Sequence, residues 1–233
     1  MVFVVQIPST LKVIQIRKRV MTEQHKQTGS FITLEGGEGV GKSTNLAFII
    51  DDLKNRGLSV VKTREPGGTP IAEQVRDLLL HHADEALDPT AELLLVFAAR
   101  AQHLAQVIKP SLYAGKVVVS DRFTDASFAY QGAGRGLSIT VLETLEKLVQ
   151  QALQPDLTLL LDLPVADGMA RVAKRGQSDR FEQQQHDFFE RVRAGYLARA
   201  RAFPDRFRII DAAQPLVDVQ QQIRQVLDEF FSK

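Results

Sequence analysis

The chain has 233 residues, 29 Lys+Arg against 28 Asp+Glu for a formal net charge of +1, and no cysteine. At 44% hydrophobic and 24% charged residues it has globular composition, which excludes general disorder. The near-zero charge argues against a nucleic-acid-binding surface. The missing thiols exclude disulfides, zinc–thiolate and iron–sulfur sites and thiol nucleophiles.

Residues 1–29 do not share the patterning of the rest of the chain. An apolar patch, Val2–Ile7, precedes a basic one at Arg17, Lys18 and Arg19. That order is the reverse of a secretory signal, which argues against export and for a cytoplasmic protein. No apolar run approaches the ~18–20 residues of a membrane span. Residues 1–20 read either as a dispensable upstream extension, with Met21 an alternative start, or as an ordinary N-terminal arm. Packed structure is expected from Ser30, making 1–29 an arm and 30–233 one domain.

From there short β-rich runs alternate with helical patterns. Phe31–Glu35 is the first expected strand, followed by a glycine-rich turn and a helix from Lys42 to Arg56, stopped by Gly57. Leu58–Thr63 is the second strand. Helices over Pro70–Leu80 and Pro89–Ile108 follow, each with proline in its first turn. Next come a strand at Lys116–Ser120, a helix at Thr140–Leu153 and a strand at Leu157–Asp162. Helices Val165–Arg175 and Gln183–Phe203, strand Phe207–Asp211 and helix Pro215–Phe231 complete the chain. Short apolar strands alternating with helices predict an α/β fold: a doubly wound, five-stranded parallel sheet with helices on both faces. Ligands in such folds lie beyond the carboxyl ends of the strands.

The first of those ends carries Gly36-Gly37-Glu38-Gly39-Val40-Gly41-Lys42-Ser43, followed by Thr44. This satisfies G-x-x-x-x-G-K-[ST] in its confirming context, after a strand and before a helix. Backbone N–H groups of such a loop converge on phosphate oxygens, and the helix adds its positive end. Lys42 then reaches the β and γ phosphates of a nucleoside triphosphate, and the Ser43 hydroxyl suits Mg²⁺. Asp121 closes the third apolar run as a Walker-B acid does and is a second candidate Mg²⁺ contact. The Asn-Lys-x-Asp guanine motif of GTPases is absent from the sequence. Arg64 and Arg122, at adjacent strand ends, suit a clamp on a monophosphate. Surface ion pairs with Glu65 or Asp121 are the plainer alternative.

Thr63-Arg64-Glu65-Pro66-Gly67-Gly68-Thr69, Asp121-Arg122-Phe123, Phe97-Ala98-Ala99-Arg100 and Tyr130-Gln131-Gly132-Ala133-Gly134-Arg135-Gly136 together resemble the bacterial thymidylate kinases, from Phe31 to the C-terminus. The resemblance implies Mg²⁺-dependent phosphoryl transfer from ATP to dTMP by a homodimer. Kinases for other nucleoside monophosphates, or a regulatory ATPase, are the rival functions. It implies acceptor phosphate on Arg64 and Arg122, and the base on Arg100, Ser127 and Gln131. Tyr130 would crowd the sugar C2′ and Glu38 would face its 3′-hydroxyl. The family stacks an aromatic ring on thymine four residues before the arginine. Here that position is Val96, and the phenylalanine is Phe97, so either residue forms the wall, or Phe97 is core.

Arg171, Lys174, Arg175 and Arg180 crowd a basic lid over about 171–182. The loop between Gly36 and Gly41 contains no arginine. The cation for the transferred phosphoryl group is therefore assigned to Arg175, at the family's lid position, with Lys42 and Arg122 as the other catalytic residues. Arg171 and Arg180 are possible partners. No general base is expected, because a monophosphate with a second pKa near ~6 is already an anion at neutral pH. The loop Asp211–Gln214 is the expected adenine wall.

Overall fold

A computed structural model describes residues 29–81, 86–174 and 185–232. Five strands, β1 (Phe31–Glu35), β2 (Val60–Arg64), β3 (Val117–Asp121), β4 (Leu157–Asp162) and β5 (Phe207–Asp211), form one sheet in the order β2-β3-β1-β4-β5. Every pairing is parallel. The helices are α1 (Lys42–Asn55), α2 (Pro70–His81), α3 (Pro89–His103), α4 (Lys109–Tyr113), α5 (Thr124–Ser127), α6 (Ile139–Gln150), α7 (Val165–Ala173), α8 (His186–Ala202) and α9 (Leu216–Phe231).

Alternate residues of β1 serve opposite faces. Ile32 and Leu34 pack with Leu46, Ile49 and Leu53 of α1 and with Ile223 and Leu227 of α9. Phe31 meets Val118, Leu104 and Ile108 on the other side, where Leu160 also packs against Val192 and Tyr196 of α8. Each such buried side chain contributes about 1.5–3 kcal/mol, and burial on both faces explains the uninterrupted apolar runs. This is the doubly wound sheet that the alternation predicts.

β1, β4 and β5 keep their expected bounds, whereas β2 and β3 begin two residues and one residue later than expected, at Val60 and Val117, and each end one residue later, at Arg64 and Asp121. The main-chain ladder is indifferent to side-chain polarity: Arg64 pairs with Asp121, and Glu65 N donates to Asp121 O at 2.9 Å. Asp88 caps α3 by accepting from Thr90 N (2.8 Å) and Ala91 N (3.2 Å), with Pro89 in the first turn as expected. The helix then loosens to π winding over Leu104–Ile108 and continues as α4. By length and composition this stretch, Pro89–Tyr113, is apolar enough to cross a membrane. That corrects the expectation that no segment qualifies. Half of its most apolar window is buried, and it turns Glu92, Arg100 and His103 inward, so it is a core helix.

α6 ends at Gln150, short of its expected bound, where Gln151 takes a φ of 59°. Two short pieces had no periodic pattern to announce them: α5, and a π-helical turn over Phe128–Gly134. The arm over 1–28, and Arg175 and Arg180 of the lid, fall outside the described residues.

Candidate active site

The phosphate loop leaves β1 at Glu35 and enters α1 at Lys42. Gly39 has a φ of 72°, and a Cβ there would stand 2.1 Å from Gly168 O. A Cβ on Gly168 would in turn stand 2.5 Å from Glu38 O. The loop tip therefore rests backbone to backbone on the first turn of α7, where only glycine fits. Lys42 Nζ donates to Gly36 O (3.0 Å) and Gly37 O (2.6 Å), curling over the loop. Its pKa is lowered, by burial first and then by the Arg122 cation. Ser43 and Thr44 are exposed at the mouth. Arg171 on α7 donates to Ala212 O (3.3 Å) and points at Gly39 O (3.5 Å), bringing one lid cation and the Asp211–Gln214 loop to the phosphate loop.

Beside this loop lies a cleft of about 550 Å³, part of it open to solvent, whose lining includes Glu38, Arg76, Val96, Arg100, Arg122, Ser127, Tyr130 and Gln131. Arg122 follows β3 with a φ of 68°, a left-handed conformation that costs a non-glycine residue roughly 1–3 kcal/mol. Its guanidinium donates to Glu38 Oε1 and to Tyr130 OH, the latter at 2.8 Å, and the tyrosine donates to Glu38 Oε1 at 2.7 Å. Burial opposes the charge on Glu38, but Arg122, Lys42 and the Tyr130 hydroxyl outweigh it and hold the carboxyl at about 2. At neutral pH the loop thus presents a carboxylate between two cations. Glu35, beneath it, is the opposite case. Burial and the nearby Asp125 carboxylate push it up to about 8 against hydrogen bonds from Tyr196 and Phe123 N–H.

The far end of the cleft is a buried polar chain. Thr63 Oγ1 meets His103 Nε2 at 2.6 Å, His103 Nδ1 meets Glu65 Oε1 at 2.9 Å, and Glu65 Oε2 accepts from Arg100 Nε at 2.7 Å. Arg100 Nη2 donates to Ser127 Oγ at 2.9 Å. Gln131 donates to Glu92 Oε1 at 2.9 Å, and Arg135 also pairs with Glu92. Among the described residues, Arg100 Nη1 and Arg122 Nε are buried without a hydrogen-bond partner. Unfilled donors on charged groups are expensive to bury, so both mark places built for an acceptor atom.

Two expectations change here. Val96, not Phe97, lines the cleft. Phe97 is buried with Leu93, Phe128 and Leu142, its ring 4.5 Å from the Arg100 guanidinium carbon, because one helical step of about 100° turns it into the core. Arg64 is exposed and bound by Glu73, at 3.2 Å through Nε and 2.7 Å through Nη2, outside the cleft wall. Its alternative ion-pair partners, Glu65 and Asp121, are not the ones it takes. Arg76 lines the cleft instead, donating to Pro66 O at 3.0 Å. Burial, then Arg64 and Arg122, lower the Arg76 pKa, so three guanidiniums share one field. Such mutual repulsion favours a bound dianion.

Arg76, Glu92 and His103 were not singled out from sequence. Arg76 interrupts the buried stripe of Ala72 and Leu79 on α2, and Glu92 and His103 share the buried face of α3 with Leu93, Val96 and Arg100. A charge on a core-facing helical position was the available signal.

Among the described residues Asp121 Oδ1, at the end of β3, is buried without a partner, which fits a Walker-B acid. Among the described residues no group of three or more acidic or histidine side chains gathers around a metal position.

A parallel 2-3-1-4-5 sheet with a phosphate loop after β1 defines a P-loop nucleotide-binding protein. The Thymidylate kinase family model matches residues 34–223. A thymidylate kinase of Pseudomonas savastanoi pv. phaseolicola is 58% identical over 202 residues, 87% of this chain and 96% of that protein. One of Teredinibacter turnerae is 58% identical over 203 residues, 87% of this chain and 99% of that protein. The crystal structure of thymidylate kinase from Ehrlichia chaffeensis matches with a TM-score of 0.69 at 34% identity, over 85% of this chain and 98% of that one. The chain belongs to the thymidylate kinase family, and so to the ATP-using transferases of nucleotide biosynthesis.

Proposed function

We propose that the chain transfers the γ-phosphoryl group of ATP to dTMP, giving ADP and dTDP, in the cytoplasm. The observation that supports this most is the pair of unfilled buried guanidinium nitrogens, Arg100 Nη1 and Arg122 Nε, on or beside one cleft next to the phosphate loop. ATP phosphates lie along the Gly36–Thr44 backbone, with Lys42 exchanging its carbonyl contacts for phosphate oxygens. The acceptor phosphate takes Arg122, with Arg76 and Arg64 supplying the surrounding field. The base takes Arg100, Ser127 and Gln131, with Val96 as its apolar wall rather than Phe97. Glu38 faces the sugar 3′-hydroxyl and Tyr130 crowds C2′.

Ser43 and Asp121 would hold Mg²⁺, which when bound offsets charge on the β and γ phosphates. The acceptor oxygen is already anionic, so catalysis is alignment plus neutralisation by Lys42, Arg122 and Arg175. Closure of the 171–182 lid over the site excludes water.

The test is ADP release measured with dTMP, dUMP, UMP, CMP and AMP as acceptors. Turnover with dTMP above the others is expected, and turnover independent of any monophosphate would overturn the reading. Homodimerisation belongs to the same proposal. Leu94 on α3 and Ile139, Val141 and Leu148 on α6 are exposed apolar side chains on two helices that pack together. Light scattering of Leu148→Asp should show a monomer.

A further inference from the structure

Arg122 owes its aim to a backbone turn in which Phe123 is packed on Phe31 and the flanking peptide groups are hydrogen-bonded. The residue is left-handed, and the peptide groups on either side of it are pinned. Its own N–H donates to Leu34 O at 3.0 Å, and its carbonyl accepts from Ser120 Oγ at 2.7 Å. The next N–H, that of Phe123, is buried and has one side-chain acceptor, Glu35 Oε1 at 2.7 Å. Glu35 is wholly buried at the end of β1, and its second oxygen accepts from Tyr196 OH of α8 at 2.9 Å. One carboxyl therefore joins the end of β1, where the phosphate loop begins, to the turn after β3 and to α8. The phosphoryl transfer itself makes no use of it.

We propose that Glu35 is the positioning residue for Arg122: it holds the left-handed turn through Phe123 N–H and ties that turn to α8 through Tyr196. It touches neither nucleotide. Its effect passes through the arginine, and the inference rests on the proposed role of Arg122 toward the acceptor phosphate. Loosening the turn shifts the guanidinium while leaving the phosphate-loop backbone in place, so acceptor kinetics should suffer and donor affinity should not.

Glu35→Met removes both hydrogen bonds at similar volume. It should lower kcat/KM for dTMP by ~10- to 100-fold, the scale of a misplacement of about 1 Å, with KM for ATP within about twofold. Glu35→Gln keeps an oxygen for Phe123 N–H and offers its amide N–H to Tyr196 OH, whose hydroxyl turns from donor to acceptor, and should stay within about threefold of the parent. Glu35→Asp, which withdraws the carboxyl by one methylene, should give the same dTMP-selective loss at smaller size and serves if the methionine variant does not fold. In an Arg122→Ala background the Glu35 substitution should add nothing further, since both act through one group. The assignment falls if dTMP and ATP parameters decline together, if Gln is as impaired as Met, or if the effects of Glu35 and Arg122 multiply. It falls alone if Arg122→Ala impairs dTMP use and neither Met nor Asp does. If Arg122→Ala leaves dTMP kinetics unchanged, the acceptor role of Arg122 falls with it.

Discussion

The two halves of the site are built differently. On the donor side, ligand-facing groups are mostly main chain: a glycine loop resting on Gly168, with Lys42 folded over its carbonyls. On the acceptor side they are side chains, and nearly every charge is held by another: Glu38 by Arg122, Glu65 by Arg100 and His103, Glu92 by Arg135. Main-chain donors suit the triphosphate common to all nucleotides, since they read charge and spacing alone. Interlocked buried side chains suit discrimination, because a wrong acceptor leaves polar groups unpaired.

If that division holds, damage on the acceptor side should register against dTMP and not ATP. The largest effect is expected from Arg122→Ala, which removes a preorganised cation and should lower kcat/KM for dTMP by ~10²–10³-fold in steady-state assays. KM for ATP should change little. Arg175→Ala probes the other side and should lower kcat by about 10²-fold with a small change in KM for ATP. A dominant KM change would make Arg175 a binding residue.

Two acids, Glu38 in the cleft wall and Glu35 beneath it, sharpen the contrast through pH. Glu38 has its folded pKa depressed from 4.5 to about 2, so its stabilisation is complete above 4.5 and is lost as pH falls toward 2. Glu35 has its pKa raised from 4.5 to about 8, so its contribution is complete below 4.5 and is lost as pH rises through 8. In urea unfolding across about pH 3 to 9, Glu38→Gln should flatten the acid limb and Glu35→Gln the alkaline limb. The smallest kinetic effect is expected at the base wall. Phe97→Ala should cost about 3–5 kcal/mol of stability with KM for dTMP unchanged. Val96→Ala should raise that KM by roughly two- to fivefold at a lower cost in stability, since about one or two methyl groups of apolar contact are lost.

The phosphate loop was legible in the chain because its chemistry is local. Eight consecutive residues, from the end of a strand into the first turn of a helix, contain the turn, the lysine and the hydroxyl. The strands were legible because burial on both faces requires unbroken apolar runs, and Phe31–Glu35, Leu157–Asp162 and Phe207–Asp211 needed no correction. The resemblance, not pattern, pointed to Arg100, Ser127, Tyr130 and Gln131, and the folded chain lines one cleft with all four.

Where those patterns stop, the tertiary structure decided. Whether Val96 or Phe97 faces the cleft depends on the rotation of α3, set by packing against α6 and Phe128 rather than by the sequence of α3 itself. Whether Arg64 or Arg76 lines the wall depends on Glu73, which holds Arg64 through both side-chain oxygens and leaves the inward position to Arg76. Glu35 finds its partners across 88 and 161 residues of chain, at Phe123 and Tyr196, and His103 across 38 and 40, at Glu65 and Thr63. A sequence states which groups are charged and which local turns are possible. Which charge is paired, and which is left with a donor to offer, depends on neighbours that only the folded chain brings together.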